Sequence, residues 1–355
     1  MTEKDPLVSV VMSVYNGHIK LSETIDSVLS QTLENFEFIL IDDGSTDCAL
    51  EILKEYKETD PRVLLIQNGV NLGLAASLNK GIQIARGEYI ARIDADDICL
   101  PERFEKQVRF LEQNPSILIL GSNITQIDDE GNPIREIRYA TDPNELRWNM
   151  LFGISGIIAH PCAMIRAQVF REGGFYKLIR SSQDLELWSR YINNSPLPVY
   201  NLQESLVKCR WHKNSFSVKF AEMQFQISNQ IRLDTLNHLF SQKYDLQTVE
   251  AFRTLTSESY FVSIGDKKKL IKNWFEIWQH FEKKFKLSTD EMKPKYEQLY
   301  FRIKNWVAIR NYANKDVLRL RDLIQLIGFW KTVDFINYKI KSYLKRKGKR
   351  TAAQS

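Results

Sequence analysis

Short apolar runs alternate with amphipathic stretches in the first third of the chain. The runs "VSVVMSV", "FEFILID", "RVLLIQN" and "EYIARID" are rich in β-branched and aromatic residues, as buried strands are. Between them, apolar residues recur every three or four positions, which is the period of an amphipathic helix. Strands that alternate with helices of this length form βαβ units. The pattern therefore predicts an α/β fold with a Rossmann-like, mostly parallel sheet flanked by helices.

Beyond this region the pattern predicts a mixed set of elements. Pro101 fits the first position of a helix, because proline needs no hydrogen-bond acceptor for its nitrogen there. A second helix is expected from Asp142 to Phe152, with Asp142 as its N-cap. The segment "HPCAMIR" indicates a strand, and "SSQDLELWSRYI" indicates a helix opened by Ser182 or Gln183.

The length of the chain allows about two domains, since a domain typically has roughly 150 residues. The α/β alternation and the mixed elements occupy residues 1–217, which we predict to be one domain. After residue 217 the sequence is helical in pattern and has few turn signals. We therefore expect a helical C-terminal region over residues 218–355.

Composition narrows the class of protein. With 43% hydrophobic and 26% charged residues, the chain is typical of a globular protein. Its four cysteines, at positions 48, 99, 162 and 209, form no C-x-x-C pair, which argues against disulfides and a zinc site. No secretory signal is visible, and the longest apolar run, Met150–Ala159, is about half the ~20 residues of a membrane span. These features favour a cytoplasmic protein.

Carboxylates follow two of the predicted strands. Asp43 trails the second strand, and Asp94, Asp96 and Asp97 trail the fourth. Ligands of open α/β sheets bind outside the carboxyl ends of the strands, so two acidic loops are expected at one rim. A single such aspartate is often only a turn or N-cap residue. Three in four residues repel one another, and an oxygen-only cluster favours Mg²⁺ or Mn²⁺ with a phosphorylated ligand.

Four motifs together resemble those of family 2 glycosyltransferases. They are "VSVVMSVYNG", "FILIDDGSTD", "NLGLAASLNKGIQIARGEYIARIDADD" and "SSQDLELWSR", which occur in this order. Members of this family are inverting enzymes with the glycosyltransferase A fold, and many build bacterial surface polysaccharides. The resemblance implies a hexosyl-type transferase, with a nucleotide-sugar half over residues 1–115 and an acceptor half over residues 116–217.

The resemblance also implies a nucleotide site. Ser13 and Tyr15 match nucleotide-binding positions, and Tyr15 would stack on the base. Asp43 matches the carboxylate that accepts the imide N–H of the base, which suggests uracil and a UDP-sugar donor. Asp94 and Asp96 match the acid-x-acid motif, Asp94 near the ribose or metal and Asp96 as the metal ligand.

Other residues carry over with a less defined role. Asp97 is an acidic neighbour of the motif and a candidate contact for the diphosphate or the acceptor. Arg210 and His212 lie in a segment that, in family members, reaches the diphosphate or the metal, and His212 is a further metal-ligand candidate.

Asp184 matches the catalytic base of the family. In a single displacement the acceptor hydroxyl loses its proton as it attacks the anomeric carbon, and a carboxylate can accept that proton. Many members have glutamate before this aspartate, whereas this chain has Gln183. The structural alternative for Asp184 is an acidic residue in the first turn of a helix, stabilised by the helix dipole.

The end of the chain combines apolar and basic residues. Apolar residues recur at three- and four-residue intervals from Phe329 to Leu344, and seven basic residues but no acidic ones follow from Lys339 onward. Such a basic amphipathic helix can lie on an anionic membrane, which suits a lipid-linked or glycan acceptor. Alternatively, its apolar face packs on the catalytic domain.

Two other functions are compatible with the same fold. A sugar-nucleotidyltransferase would need a glycine- and arginine-rich phosphate loop after the first strand, where this chain has "SVYNGHIK". A non-catalytic protein that binds nucleotide-sugars is the second alternative. Nucleic acid is not an expected partner, because apart from its basic end the chain is nearly neutral and its predicted cleft is acidic.

Overall fold

The computed structural model describes residues 5–153, 157–211, 216–250 and 267–286. The chain divides into two compact units, residues 1–239 and residues 240–355. The domain boundary predicted at residue 217 stays a prediction. In the first unit, the guanidinium of Arg232 donates hydrogen bonds to the carbonyl oxygens of Asn149 and Met150, at 3.0 and 2.6 Å.

Within the described ranges, the first unit contains nine strands and most of the helices. The strands are β1 (Val8–Val14), β2 (Phe36–Asp42), β3 (Val63–Gln67), β4 (Tyr89–Arg92), β5 (Ile98–Cys99), β6 (Ile119–Ile127), β7 (Pro133–Ile137), β8 (Met164–Arg166) and β9 (Val199–Arg210). The helices are α1 (His18–Leu29), α2 (Ala49–Thr59), α3 (Leu74–Ile84), α4 (Arg103–Gln113), α5 (Pro143–Phe152), α6 (Gln168–Gly173), α7 (Gln183–Ser189), α8 (Phe216–Lys219) and α9 (Ala221–Phe240). A 3₁₀ turn spans His160–Cys162.

All nine strands belong to one sheet. Its order is β3-β2-β1-β4-β8-β6-β9-β5, and β7 pairs with β6 at the side. The first four strands in this order are parallel, whereas β8 joins β4 and β6 in the antiparallel direction. This confirms the predicted α/β class and its parallel half. The carboxyl ends of β1, β2 and β4 lie together, so the loops after them share one rim.

The core lies between the sheet and the helices. Every residue of β2 is buried, as expected for a strand covered on both faces. On α4, Phe104, Val108 and Leu111 form a buried face. Leu187 and Trp188 of α7 are fully buried and also belong to this core.

Two predicted helix starts have different outcomes. Asp142 caps α5 as predicted, because its carboxylate accepts the backbone N–H of Glu145 at 2.7 Å. The prediction for Pro101 was wrong, since α4 begins at Arg103 and Pro101 lies in the turn before it. The carbonyl oxygen of Pro101 accepts the backbone N–H of Thr32 instead of an N–H of its own helix.

A buried polar network lies at the amino-terminal ends of β1 and β2, opposite the rim. The hydroxyl of Ser9 donates to the carboxylate of Glu37 at 2.6 Å and accepts the backbone N–H of Gly87 at 2.8 Å. A Cβ atom on Gly87 would lie 2.5 Å from the backbone nitrogen of Ser9. This nitrogen belongs to a central strand, so it cannot move away without a shift of the strand.

Gly87→Ala is therefore expected to lower the free energy of unfolding by about 2 kcal/mol, through forced overpacking. Urea denaturation monitored by circular dichroism measures this change. Gln83→Ala on the exposed face of α3 is the control, and it should change stability by less than about 0.5 kcal/mol. An unchanged unfolding midpoint for Gly87→Ala would show that the strand shifts to accommodate the added methyl group, and it would contradict the prediction.

The second unit is described only in part. Helix α10 (Lys267–Phe285) contains His280, whose ring nitrogen Nδ1 lies 2.9 Å from the hydroxyl of Tyr244. None of the helices in the described ranges has a stretch long and apolar enough to cross a membrane. The predicted basic helix between Phe329 and Leu344 lies outside the described residues, so its alternatives stay open.

Candidate functional site

The loops that follow β1 and β2 are tied to each other at the rim. The side-chain oxygen of Asn16 accepts the backbone N–H of Thr46 at 2.7 Å, and the backbone N–H of Asn16 donates to the hydroxyl of Ser45 at 3.2 Å. His18 Nδ1 lies 2.7 Å from the carboxylate of Asp47. These contacts hold the two loops as one surface.

The residues of the predicted base site lie on or beside this surface. Ser13 is the penultimate residue of β1, and Tyr15 follows the strand with 51% of its surface exposed. An exposed ring at the end of a buried strand is available for stacking on a flat ligand. The role of Tyr15 in stacking on a base stays a prediction.

Asp43 lies beneath this surface and organises the next loop. Its Oδ1 accepts the backbone N–H of Leu72 and the side-chain amide of Asn68, both at 2.8 Å. Its Oδ2 accepts the backbone N–H of Gly73 at 2.9 Å. Asp43 is only 2% exposed. Since a carboxylate oxygen has two lone pairs, Oδ2 keeps capacity for one more donor.

The acidic loop after β4 is held by two arginines. Arg92, the last residue of β4, forms an ion pair with Asp94 through Nη1 and Oδ1. The backbone N–H of Arg210 donates to Oδ1 of Asp97 at 2.8 Å, and Nε of Arg210 donates to the carbonyl oxygen of Asp96 at 3.0 Å. The loop therefore has a fixed backbone.

The three carboxylates of this loop differ in their exposure. Asp97 is buried, and burial raises its pKa well above the usual range, with the negative charges of Asp94 and Asp96 adding to the effect. The Asp94 side chain keeps 41% of its surface exposed. Asp97 thus faces the interior and supports the loop, while Asp94 faces the rim.

All the nitrogens of the Arg210 guanidinium donate hydrogen bonds in and around this loop. In addition to Asp96, it donates to the carbonyl oxygens of Asp128 and Asp129 at 2.8 Å and to Glu23 at 2.8 Å. All of these acceptors are oxygens of the protein itself. In this structure Arg210 positions the acidic loop, and a contact with a diphosphate stays a prediction.

Arg210→Ala is expected to lower the free energy of unfolding by about 2–4 kcal/mol, because three carbonyl oxygens lose a charged donor. Thermal and urea denaturation measure this loss. Glu23→Gln removes only the exposed end of the same contacts, so it should cost less than about 1 kcal/mol. Equal stability of the two variants would contradict the positioning role.

Asp184 lies at the start of α7. It follows Gln183, the first residue of the helix, and its pKa is raised by burial of its carboxyl group. Backbone N–H groups, including that of Leu185, and the positive charge of Arg92 oppose this rise, while the charge of Asp94 adds to it. The structure therefore brings Asp184 within electrostatic range of the acidic loop, although the two are 90 positions apart in the sequence.

Arg92 is a buried cation that interacts with both acidic sites. Its side chain is 4% exposed, and its charge influences Asp97, Asp184 and the neighbouring His160. Among the described residues, no acceptor is aligned for a hydrogen bond with Nε or Nη1, so the ion pair with Asp94 is a contact of charges. Sequence reasoning missed Arg92, although a charged residue inside the apolar run "EYIARID" was a visible signal.

His160 belongs to the wall of the site. Its Nε2 lies 2.9 Å from the hydroxyl of Tyr176, and its ring packs edge-on against Trp188. Burial and the charge of Arg92 lower the pKa of His160 well below its usual value, so the imidazole is neutral at pH 7. His212, by contrast, lies outside the described residues, and its role stays a prediction.

The acidic loop fits a divalent cation by its chemistry. Within the described ranges, no three histidine, cysteine or carboxylate side chains converge as a complete metal cage. Mg²⁺ and Mn²⁺ do not require one, because one or two carboxylates suffice when substrate phosphates and water complete the shell. The charges of Asp94 and Asp96 raise the pKa of Asp97, so negative charge is concentrated in this loop, and a bound cation would offset it.

The sequence of the chain is similar to those of known glycosyltransferases. The sequence model of the family described as "Glycosyl transferase family 2" matches residues 9–174. The putative glycosyltransferase EpsE of Bacillus subtilis is 35% identical over 250 residues, which cover 67% of this chain and 87% of EpsE. The O-antigen biosynthesis glycosyltransferase WbnJ of Escherichia coli is 34% identical over 218 residues, which cover 59% of this chain and 81% of WbnJ.

A solved structure shows the same fold. Residues 1–349 of S. aureus TarS, crystallised with UDP-GlcNAc, superpose with a TM-score of 0.56 at 16% identity, over 83% of this chain and 87% of that one. At this identity the likeness concerns the fold alone. It confirms the predicted glycosyltransferase A architecture, in which a mostly parallel sheet carries helices on both faces.

Proposed function

Because the chain belongs to glycosyltransferase family 2, we propose that it is an inverting, metal-dependent hexosyltransferase that uses a UDP-sugar. The acceptor is a hydroxyl of a glycan or of a lipid-linked intermediate in surface polysaccharide synthesis. One observation carries the proposal: the acidic loop after β4 and Asp184 of α7 are two acidic sites on different elements, and both interact with the charge of the buried Arg92. Donor activation and acceptor deprotonation need two such sites.

The relatives support the class of substrate. WbnJ is named for O-antigen biosynthesis, and the TarS structure contains UDP-GlcNAc. In this chain, Tyr15 offers an exposed ring for the base, and Oδ2 of Asp43 keeps room for one more donor. An imide N–H, which uracil has, supplies that donor.

Asp184 acts as the general base in this proposal. Its carboxylate accepts the proton of the acceptor hydroxyl while the hydroxyl oxygen attacks the anomeric carbon. A raised pKa makes the carboxylate a stronger base than an exposed aspartate, and the charge of Arg92 favours its ionised form. Attack from the side opposite the leaving group inverts the configuration of the sugar.

The donor side has a different task. Asp96, with Asp94 beside it, would hold Mg²⁺ or Mn²⁺, which offsets the charge of the leaving diphosphate when it is bound. Arg210 and the buried Asp97 fix the backbone that presents these carboxylates. Neither needs to touch the substrate for this purpose.

The proposal is tested with water as the acceptor, because the natural acceptor is unknown. The chain is incubated with Mn²⁺ and a panel of UDP-sugars, and released UDP is quantified. We expect slow release of UDP from one or two donors, and proton NMR of the fresh product should show the anomer opposite to that of the donor.

Each other result has a defined meaning. Retention of the anomeric configuration would refute the single displacement. Calorimetric binding of UDP without turnover of any donor would favour the non-catalytic alternative, whereas release of pyrophosphate from a nucleoside triphosphate and a sugar phosphate would favour the nucleotidyltransferase. Preferential binding of GDP, CDP or ADP would overturn the assignment of uracil.

A further inference from the structure

A surface loop beside Asp184 is fixed in place by charged contacts. This loop, residues 173–180, is called the Phe175 loop below. The guanidinium of Arg190, on the C-terminal side of α7, donates to the carbonyl oxygens of Gly173, Gly174 and Phe175, each at 2.9 Å. Arg190 is itself oriented by an ion pair with Glu186 at 2.6 Å.

The same loop is fixed from the other side by α3. The side chain of Asn79 accepts the backbone N–H of Tyr176 at 2.9 Å and donates to its carbonyl oxygen at 2.8 Å. The ring of Tyr176 points inward, where its hydroxyl meets His160. The backbone on either side of Tyr176 is therefore held between two helices, in spite of its position on the surface.

The fixed loop presents large apolar side chains to solvent. Phe175 is 38% exposed and Leu178 is 72% exposed. Burial of such a side chain is worth roughly 1.5–3 kcal/mol, so a backbone that keeps both outside forgoes a substantial gain. Exposed apolar side chains on a fixed backbone indicate a surface that is covered by a partner.

The charges of the loop indicate the kind of partner. Arg171 at the end of α6, together with Lys177 and Arg180, is exposed around the two apolar side chains, and Glu172 is the only acid among residues 171–180. Apolar side chains surrounded by basic ones suit the interface of an anionic membrane, where each basic residue contributes about 1 kcal/mol.

A second exposed apolar segment is attached to the same helix. Val70 and Leu72 lie in the loop that Asp43 holds, and Leu74 begins α3; all three are exposed. Leu74 precedes Asn79 by about 7.5 Å along the helix axis, at 1.5 Å per residue. The same helix therefore begins beside the loop that Asp43 holds and also holds the Phe175 loop.

We propose that the Phe175 loop inserts Phe175 and Leu178 into the interface of an anionic lipid bilayer and so presents Asp184 to acceptors at the membrane surface. This inference rests on the proposed function for its lipid-linked acceptor. It does not depend on the basic C-terminal segment.

A fluorescent label tests insertion at one position. The full chain carries the environment-sensitive NBD group on a cysteine at position 178 (Leu178→Cys), in a Cys48→Ser background because Cys48 is exposed. Addition of vesicles of phosphatidylglycerol and phosphatidylcholine should shift the emission to shorter wavelength and raise its intensity. Vesicles of phosphatidylcholine alone should have a much smaller effect.

The matched control has the label on Glu34→Cys, an exposed position just before β2, at the end of the parallel strands opposite the rim. Its emission should stay unchanged with both kinds of vesicle. Vesicle binding in sedimentation without a shift at position 178 would mean that another segment, such as the basic C-terminus, carries the attachment. That result, equal shifts at the two positions, or no vesicle binding would each overturn the proposal.

Two unlabelled variants test the contribution of the loop to affinity. Phe175→Ser with Leu178→Ser should weaken partition onto anionic vesicles by about tenfold or more, through lost burial of two apolar side chains. Lys177→Glu with Arg180→Glu should also weaken it and should reduce its dependence on salt. Partition within twofold of wild type for both variants would contradict the assignment.

Binding of UDP is measured calorimetrically on the same preparations. Failure of the wild-type chain to bind UDP would count against the proposed function. If all variants bind UDP but the emission of the label at position 178 does not change with vesicles, only the proposed membrane insertion of the Phe175 loop would be refuted.

Discussion

Asp184→Asn is expected to lower the rate of UDP release about 10²- to 10⁴-fold, which is the usual contribution of a positioned general base. The amide has the shape of the carboxylate but cannot accept the proton of the acceptor hydroxyl. Affinity for UDP should change little, because Asp184 lies on α7 and the acidic loop follows β4. Initial rates at saturating donor and calorimetry with UDP measure the two quantities.

The stability of this variant separates catalysis from folding. Burial raises the pKa of Asp184, so its ionised form is less favourable in the folded chain than in the unfolded chain at pH 7. The neutral amide removes this penalty, and the melting temperature should stay the same or rise. A lower rate together with a lower melting temperature would point to a structural role for Asp184.

The same pKa shift predicts an acidic limb in the pH profile. A base is active when deprotonated, so the rate should fall as the pH drops through the raised pKa of Asp184. Arg92→Met should move this limb to higher pH, because the charge that favours the ionised carboxylate is lost. A limb that does not move would show that Arg92 does not set the ionisation of the base.

Asp96→Ala is expected to abolish the increase in UDP affinity that Mn²⁺ produces, and to reduce donor turnover by about 100-fold or more. The variant removes the predicted metal ligand but leaves the carbonyl oxygen of residue 96 available to Arg210. Calorimetric titration of UDP with and without Mn²⁺ gives the affinity difference directly.

Asp129→Ala is the matched control for Asp96→Ala. Asp129 is an exposed acid on the neighbouring loop, and Arg210 also binds its carbonyl oxygen. This control loses a nearby negative charge but no predicted ligand, so it should keep the metal dependence of wild type. Equal effects of the two variants would reduce the role of Asp96 to general electrostatics, and an undiminished Mn²⁺ effect in Asp96→Ala would exclude it as the ligand.

Local sequence patterns predicted most of the fold that surrounds the site. The first four strands and their helices follow the observed alternation, because a buried parallel strand needs a continuous apolar run and its crossover helix needs one apolar face. The cap of α5 was equally local, since Asp142 contacts a residue only three positions away. Pro101 failed for a long-range reason, because its carbonyl oxygen binds Thr32.

The sequence by itself determined that the chain has two acidic segments, an α/β fold and the motifs of its family. Only the tertiary structure decided how those acids differ: Asp97 is buried, the guanidinium of Arg210 binds backbone carbonyl oxygens, and the charge of Arg92 acts on both Asp94 and Asp184. The physical reason is that the desolvation of a carboxylate depends on its burial, and its interaction with another charge depends on their distance in space. The order of residues along a chain does not specify which carboxylates share an arginine until β4 and α7 are brought together.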